Sequence, residues 1–477
     1  MTASTSSSDT AFRVADRLAR VPGPWDVYAV RTRRYEVHLV RGRVELVRGP
    51  IALEGYGIRL LRPRAETLGT GFQSSTDLSD EGIARVVADA ETVARHSEFP
   101  APKAELPSSG PAGPSLDIRD LALWDRPRET LDRYVDALVA AFEGEKDVTA
   151  SFGSIKVSLM ETSIANSSGL HAAYSHTGVE TEVAVQSFGG PEGAPPGEYW
   201  VTAAERRLEP EKLGSKVREW ARIARDVRHA EPPPNGEMPV AFPPEVLSEI
   251  LPDALSFKLS GQARLQDLAP ALGTNVGPPD LEIADDGLVP WATGSSPIDD
   301  EGVPQRRRQL IGRGEVTELV YDVLHGNALG ARSSGSGFRT GRVASAWLSF
   351  THRPNPSTTT LTLPGGGGGR DEEVVEAAGD GVWIQQIGWA SPDPVSTAFG
   401  GEIRIGYRIR GGKIAEPIRG GTVGGYAMAP AGQPSLLRDI SVVGSEPRLC
   451  GSLAMPTLLV SGVSVGGEGR PRPTASP

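Results

Sequence analysis

One break near the middle of the chain limits most strongly how this sequence can fold. The segment Glu231-Pro-Pro-Pro-Asn-Gly236 sets three prolines directly before Asn-Gly, a run that stops both helix and sheet. At 477 residues the chain also exceeds what one hydrophobic core usually supports. The sequence therefore predicts two domains, over residues 1–229 and 237–467, followed by a disordered tail at 468–477.

The first domain is predicted to mix helices with strands. Apolar residues recur at helical spacing in residues 78–96, where Ser79 is a plausible N-cap, and alternation typical of strands occupies residues 25–47. Further helices are expected at 130–142 and 210–228, with strands between 148 and 186 that are separated by turn signals at 166–169 and 175–178. Residues 1–8 are expected to be a disordered start, and the proline-rich residues 97–116 an exposed connection.

The second domain has a different pattern. A helix is predicted over residues 243–260, and short strands then alternate with glycine-rich turns almost to residue 467. This pattern favours a mostly antiparallel, barrel-like sheet, so the fold class as a whole is α+β.

Composition narrows the function classes. Apolar residues make up 38% and charged residues 23%, and no apolar run is long enough to cross a bilayer, so we expect a soluble protein. The net charge of −11 disfavours nucleic acid as a partner. The N-terminus lacks the pattern of a secretory signal, which predicts a cytoplasmic protein, and the lone Cys450 excludes an intramolecular disulfide.

A run of opposite charges is the strongest local feature. The turn signal Gly302-Val-Pro304 separates three acids from three arginines, so the two charged groups are expected to fold back on one another. Salt bridges between them, or to a partner subunit, are the favoured interpretation, and binding of a peptide carboxylate by the guanidinium groups is the alternative. The residues concerned are Asp299, Asp300, Glu301, Arg306, Arg307 and Arg308.

Together with this turn, several motifs resemble the TldD/PmbA family, also called the modulator of DNA gyrase family. They are Tyr321-Asp322, Arg339, Asp371-Glu-Glu-Val374 and the segment from Met455 to Gly467, and the resemblance extends from about Asp9 to Gly467. It implies a two-domain subunit that pairs with a relative. The TldD-like member of such a pair carries a zinc peptidase site, the TldE-like (PmbA-like) member lacks it, and the pair degrades or trims peptides, including precursors of modified peptide antibiotics.

The zinc motif of the family decides which kind of subunit this is. In the TldD-like member, His-Glu-x-x-x-His on a helix and a cysteine near the C-terminus hold the metal. The resemblance places Ser248, Glu249 and Asp253 at the three motif positions, so both histidines are replaced, and Pro252 interrupts the pattern. Cys450 falls close to the ligand cysteine and is either a vestige of it or a small apolar residue, which is the favoured interpretation.

The remaining histidines suggest no substitute site. His171 and His176 lie on either side of a predicted turn and could meet across a hairpin, although two ordinary surface histidines are the simpler interpretation. The sequence thus indicates no catalytic residue and no cofactor in this chain.

We therefore predict a catalytically silent TldE/PmbA-like subunit of a heterodimeric metalloprotease. It would shape the cleft for an extended peptide, bound by strand addition, while a TldD-like partner supplies the zinc. Work in natural-product maturation and in general peptide turnover both stay open. The alternatives are a self-sufficient peptidase that uses Glu249, Cys450 and a distant histidine, and a homodimeric peptide-binding protein.

Overall fold

A six-stranded antiparallel sheet organises the first half of the chain. The computed structural model describes residues 7–103, 105–108, 115–189, 195–339, 346–430 and 432–467. The sheet has the order β3-β2-β1-β4-β5-β6. Its strands are β1 (Trp25–Val40), β2 (Arg43–Pro63), β3 (Leu68–Ser75), β4 (Val148–Asn166), β5 (His171–Ser187) and β6 (Gly197–Glu205).

Helices cover one face of this sheet. They are α1 (Ser7–Leu18), α2 (Asp80–His96), α3 (Leu121–Asp125), α4 (Pro127–Glu143) and α5 (Leu213–Val227). Because side chains alternate along a strand, Val27 and Ala29 of β1 pack with α1 and α2, and Val37 packs with α4 and α5. Asp26, Tyr28 and their alternating neighbours face the other way.

A closed five-stranded barrel is the centre of the second half. Its strands pair in the cycle β14-β7-β21-β17-β15, which the pairing of β14 with β15 closes. All pairings except β14 with β7 are antiparallel. The predicted α+β fold with a mostly antiparallel, barrel-like second part is therefore confirmed. The strands are β7 (Gly236–Phe242), β14 (Gly381–Gly388), β15 (Ala398–Arg410), β17 (Thr422–Tyr426) and β21 (Leu458–Gly466).

A second six-stranded sheet, of order β10-β9-β8-β13-β20-β19, lies beside the barrel. Its strands are β8 (Ile283–Asp286), β9 (Arg307–Gly312), β10 (Glu315–Val316), β13 (Leu361–Thr362), β19 (Arg448–Cys450) and β20 (Leu453–Met455). The other strands are β11 (Gly337–Phe338), β12 (Asn355–Pro356), β16 (Lys413–Ile418) and β18 (Ile440–Val443). The helices are α6 (Pro244–Lys258), α7 (Gly261–Leu265), α8 (Val323–Ala328), α9 (Asp371–Ala378) and the 3-10 helix Ala346–Thr351.

The second half covers part of the open face of the first sheet. Tyr28 of β1 packs there with Ile298 and Phe350, and its hydroxyl lies 3.0 Å from that of Ser349. Gly55 of β2 lies directly beneath Phe350, since a Cβ added there would meet the phenyl ring at 2.4 Å. The rest of this face, toward the end of the β1–β2 hairpin, is not covered by this contact.

Several local predictions can be compared with these elements. Ser79 caps α2 by accepting a hydrogen bond from the Gly82 amide at 3.0 Å, as predicted. The expected turn at residues 175–178 is wrong, because β5 runs through it. Within the described part of residues 97–116 there is no helix or strand. Of the predicted disordered start, residues 1–6 lie outside the described residues, as does the tail 468–477, whereas Ser7 and Ser8 begin α1.

The domain limits at 229 and 237 stay a prediction. Among the helices of the described residues, none is long and apolar enough to cross a membrane.

Candidate functional site

The helix α6 carries the three positions that the sequence singled out. Ser248 is half-buried and donates its hydroxyl to the Glu245 carbonyl at 2.8 Å, while Glu249 and Asp253 are exposed. Pro at the first turn of α6 suits a helix start, and the helix continues past the buried Pro252 to Lys258. No side chain at these three positions is an imidazole.

Glu249 lies on the exposed side of α6, with protein atoms close to its carboxyl. Desolvation raises the pKa of its carboxyl to about 7, although the side chain is exposed. Water still reaches this carboxyl, so the raised pKa reflects surrounding protein rather than a sealed interior. The same surface contains Tyr199 of β6, whose pKa desolvation raises to about 12, with the charges of Glu245 and Glu249 adding to the shift.

Cys450 borders this surface from β19. Burial raises the pKa of its thiol to about 12, and the charge of Glu245 adds to the shift, as does the hydrogen bond to it. Arg448 binds the Glu245 carboxylate at 3.3 and 3.2 Å and also binds Asp371 at 2.9 Å. We call Tyr199, Glu245, Glu249, Arg448 and Cys450 the α6 cleft.

The α6 cleft lies between two edge strands. Tyr199 belongs to β6, the last strand of the first sheet, and Arg448 and Cys450 belong to β19, the last strand of the second sheet. Edge strands expose unpaired main-chain groups that an extended chain can pair with. One outward carbonyl of β6, that of Trp200, already accepts a hydrogen bond from the Gln386 side chain.

The acids at 299–301 do not pair with the arginines at 306–308, which corrects the prediction of salt bridges between them. All three acids are buried. Asp299 accepts main-chain N–H groups of Glu301, Val303 and Gly337 at 2.8 to 3.0 Å. Gly302 does form the expected turn, with φ +87°, and the chain folds back so that Pro304 pairs with Ile298. The arginines that follow nevertheless bind other partners.

Asp300 and Glu301 bind groups from distant segments instead. The Asp300 carboxylate accepts the Arg339 N–H at 2.8 Å, and Glu301 accepts Arg59 Nη2 and the Val323 N–H, both at 2.7 Å. Asp26 then joins both arginines, to Arg59 at 2.6 Å and to Arg339 at 2.9 Å. We call Asp26, Arg59, Asp300, Glu301 and Arg339 the interface network, because it links β1 and β2 to the second half.

The three arginines have three different environments. Arg308 is buried and binds Asp285 at 2.5 Å, because the register of β8 and β9 sets these residues opposite one another. Arg306 is exposed and binds Glu318 at 2.6 Å, and Arg307 is exposed. None of the three lines the α6 cleft as defined here.

His171 and His176 do not meet across a hairpin, since both belong to β5. His171 is exposed beside Phe12, with ring centroids 5.5 Å apart. His176 is buried, so the surface interpretation is wrong for it, and burial holds its pKa well below the usual range, with the charge of Arg206 adding to the shift.

Comparisons with known proteins identify the family. Residues 235–467 match the family described as "PmbA/TldA metallopeptidase C-terminal domain", and residues 25–94 match "PmbA/TldA metallopeptidase domain 1". The chain belongs to the TldD/PmbA family. A similar relative is the metalloprotease PmbA of Escherichia coli O157:H7, 25% identical over 82% of this chain and 83% of that protein.

Other similar proteins include members of both types. A metalloprotease TldD homolog of Haemophilus influenzae is 27% identical over 49% of this chain, and the match spans about half of that relative, 49% of its length. TldE from Thermococcus kodakarensis has a similar fold, with a TM-score of 0.77 and 19% identity over 96% of this chain and all of that chain (100%). A putative modulator of DNA gyrase from Thermotoga maritima gives 0.76 at 20% identity, covering 96% of this chain and 99% of that chain.

The residues of the α6 cleft do not fit the zinc site that the TldD/PmbA family implies. Zinc requires neutral imidazoles, thiolates or carboxylates arranged around it. Here positions 248 and 253 supply no imidazole, and burial together with the charge of Glu245 opposes ionisation of the Cys450 thiol by raising its pKa. Throughout the described ranges, no three His, Cys, Asp or Glu side chains form a group that could hold a metal ion.

Sequence reasoning missed Tyr199, Glu245 and Arg448. Helical spacing could have found Glu245, which precedes Glu249 by one turn on the same face of α6. Strand alternation could have found Arg448, which lies two residues before Cys450 on the same face of β19.

Proposed function

We propose that this chain is a TldE/PmbA-like subunit that does not cleave peptides itself and completes the peptide-binding cleft of a TldD-like zinc partner. The main support is that the three positions which the resemblance assigns to the zinc motif hold Ser248, Glu249 and Asp253, none of them a histidine. A zinc peptidase needs ligands that fix the metal and polarise its water. In the α6 cleft the groups next to Cys450 are a carboxylate and a guanidinium.

The edge strands support peptide binding at the same place. An extended peptide laid along β6 or β19 would gain main-chain hydrogen bonds with little demand on its sequence. The carboxylates of Glu245 and Glu249 and the guanidinium of Arg448 could then contact peptide groups. Binding of this kind favours broad specificity, which suits a complex that degrades or trims peptides.

Zinc content and peptidase activity of the chain, alone and with a TldD-like subunit, test the proposal. We expect the isolated chain to hold far less than one zinc per molecule and to cleave no peptide. The two subunits are expected to co-purify, and the complex to cleave unstructured peptides.

Two substitutions in the α6 cleft test whether its residues take part in bond cleavage or only help to form the binding surface. Glu249→Gln and Cys450→Ala are expected to leave the kcat of the complex within about twofold, because neither residue takes part in bond cleavage, while KM is free to change. A loss of kcat of about a hundredfold or more for either, as expected of a general acid or nucleophile, would support a self-sufficient peptidase. Activity and stoichiometric zinc in the isolated chain would do the same.

A further inference from the structure

A pocket of about 320 Å³ lies on the open face of the first sheet, beyond the part that Phe350 covers, and shares no lining residue with the α6 cleft. The register of the strands fixes its layout. Thr32 lies opposite Leu53, Arg34 opposite Ile51, and Glu36 opposite Lys156. The volume is near the lower end of the usual range for small-ligand sites, roughly 300 to 1,000 Å³.

One wall of the pocket is apolar. Ile51 is 42% exposed, Leu53 is half-buried, and the indole of Trp347 closes the end. The position of Trp347 is set by the 3-10 helix Ala346–Thr351, which rests on Gly55 through Phe350. A ligand in this pocket would therefore bury an apolar group against β2 and the indole ring.

The other side of the pocket is charged. Arg34 is 9% exposed, and its guanidinium carbon lies 5.7 Å from the centre of the Trp347 ring. Its Nε donates to Glu36 at 2.9 Å and its Nη2 to Glu180 at 3.2 Å, so both carboxylates already have a cation. The ammonium of Lys156 forms one long ion pair, to Glu180 at 3.9 Å. Within the described residues it makes no hydrogen bond.

The two acids and the two cations of the lining balance in charge, so the hydrogen-bond donors that the protein leaves unused decide which ligand group fits. The acids are already paired with Arg34, and the ammonium of Lys156 is the group that a further partner would satisfy best. A carboxylate is the natural partner of such an ammonium.

The hydroxyl of Thr32 lies at the other end of the pocket from Lys156. The Thr32 hydroxyl is buried, with the residue 2% exposed, and has no hydrogen-bond partner among the described residues. From Thr32 to the level of Lys156 the strand spans four residues, about 13 Å at the strand rise. A carboxylate at Lys156 thus leaves room for a short extended segment whose peptide group could reach Thr32.

We propose that this pocket binds the C-terminal residues of a peptide that ends in an apolar side chain. The terminal carboxylate binds Lys156, the last side chain packs between Ile51 and Trp347, and the preceding main chain meets the Thr32 hydroxyl. The proposal rests on the proposed function for its ligand class, a peptide. It adds a site that would hold one end of the substrate away from the α6 cleft.

Calorimetric titration of the full chain with two matched peptides tests this. The probes are acetyl-Ala-Ala-Leu with a free carboxylate and the same peptide with a C-terminal amide. We expect the acid to bind at least tenfold more tightly than the amide. Lys156→Met should remove most of this preference, and Thr32→Val should weaken both peptides by a smaller factor.

Lys413→Met is the matched control, since Lys413 is an exposed lysine on β16. It should leave both affinities unchanged. Equal affinity for acid and amide, absence of binding, or the same loss in Lys413→Met as in Lys156→Met would overturn the proposal. Co-purification of Lys156→Met with a TldD-like subunit keeps the two proposals apart, because failure of peptide binding with intact pairing counts against the pocket alone.

Discussion

At the scale of single residues, burial decides what a charge contributes. Arg306 and Arg308 are two positions apart in one arginine run, yet one binds Glu318 in solvent and the other binds Asp285 with both side chains fully buried. An exposed pair gains little, because water screens it, whereas removing one partner of a buried pair leaves the other charge without compensation.

We therefore expect Arg308→Met to lower the free energy of unfolding by about 3 to 5 kcal/mol, because it leaves the buried Asp285 carboxylate without its cation. Arg306→Met should change it by less than about 1 kcal/mol. Urea unfolding followed by fluorescence measures both variants. Equal losses for the two would mean that burial of the Asp285 pair does not set its strength.

At the scale of elements, local signals predicted the longer helices α2, α4, α5 and α6 well, whereas the short helices α3, α7, α8 and α9 were not predicted. The apolar spacing and Ser79 placed α2 nearly at its observed limits, because caps and amphipathic periodicity act within a few residues. The same reasoning failed at residues 175–178, where Gly178 lies in the middle of β5. Pairing with β4 continues through residues 175–178 and outweighs the weak turn signal there, whereas pairing with β6 begins only at Val179.

Glycines of the first sheet also set how elements pack. A Cβ on Gly55 would meet the Phe350 ring at 2.4 Å, whereas one on Gly178 would meet nothing within 4 Å. We expect Gly55→Ala to lower the free energy of unfolding by about 1 to 3 kcal/mol through overpacking. Gly178→Ala, in the same sheet, should change it little.

The double variant Gly55→Ala/Phe350→Leu isolates the cause. It should recover part of the stability that Gly55→Ala loses, relative to Phe350→Leu alone, because the smaller side chain relieves the contact. Thermal unfolding of the four proteins gives this coupling. Strictly additive losses would show that the ring is not what Gly55 accommodates.

At the scale of the whole molecule, the interface network joins segments that sequence reasoning could not bring together. Arg59 and Glu301 are 242 residues apart, and Arg339 and Asp26 are 313 apart. An acid run close to an arginine run predicts pairing within the segment. The acids here instead bind distant groups, Glu301 the guanidinium of Arg59 on β2 and Asp300 the main-chain N–H of Arg339. Only the fold determines which of many possible partners each buried carboxylate meets.

Asp300 and Glu301 of this network, together with the neighbouring Asp299, make stability depend on pH. Burial raises the pKa of Asp300 to about 6 and that of Glu301 to about 7, and raises the pKa of Asp299 well above its usual range. A carboxyl whose pKa is higher in the folded state stabilises the fold fully below its unfolded pKa, near 4, and loses that contribution as pH rises through its folded pKa. The buried His176 acts oppositely, because its pKa is lowered, and costs stability as pH falls below about 6.5.

Asp300→Asn separates these contributions. Asparagine keeps an oxygen for the Arg339 N–H but cannot ionise, and His176 cancels when the variant is compared with the wild type. We expect the stability of the variant relative to wild type to rise by up to about 3 kcal/mol from pH 4 to pH 7. Urea unfolding at half-unit pH steps measures this difference, with Asp89→Asn, an exposed position on α2, as the control that stays flat. A difference that is constant or falls over this range would mean that Asp300 is ionised in the fold at acidic pH, with Arg339 outweighing the cost of burial.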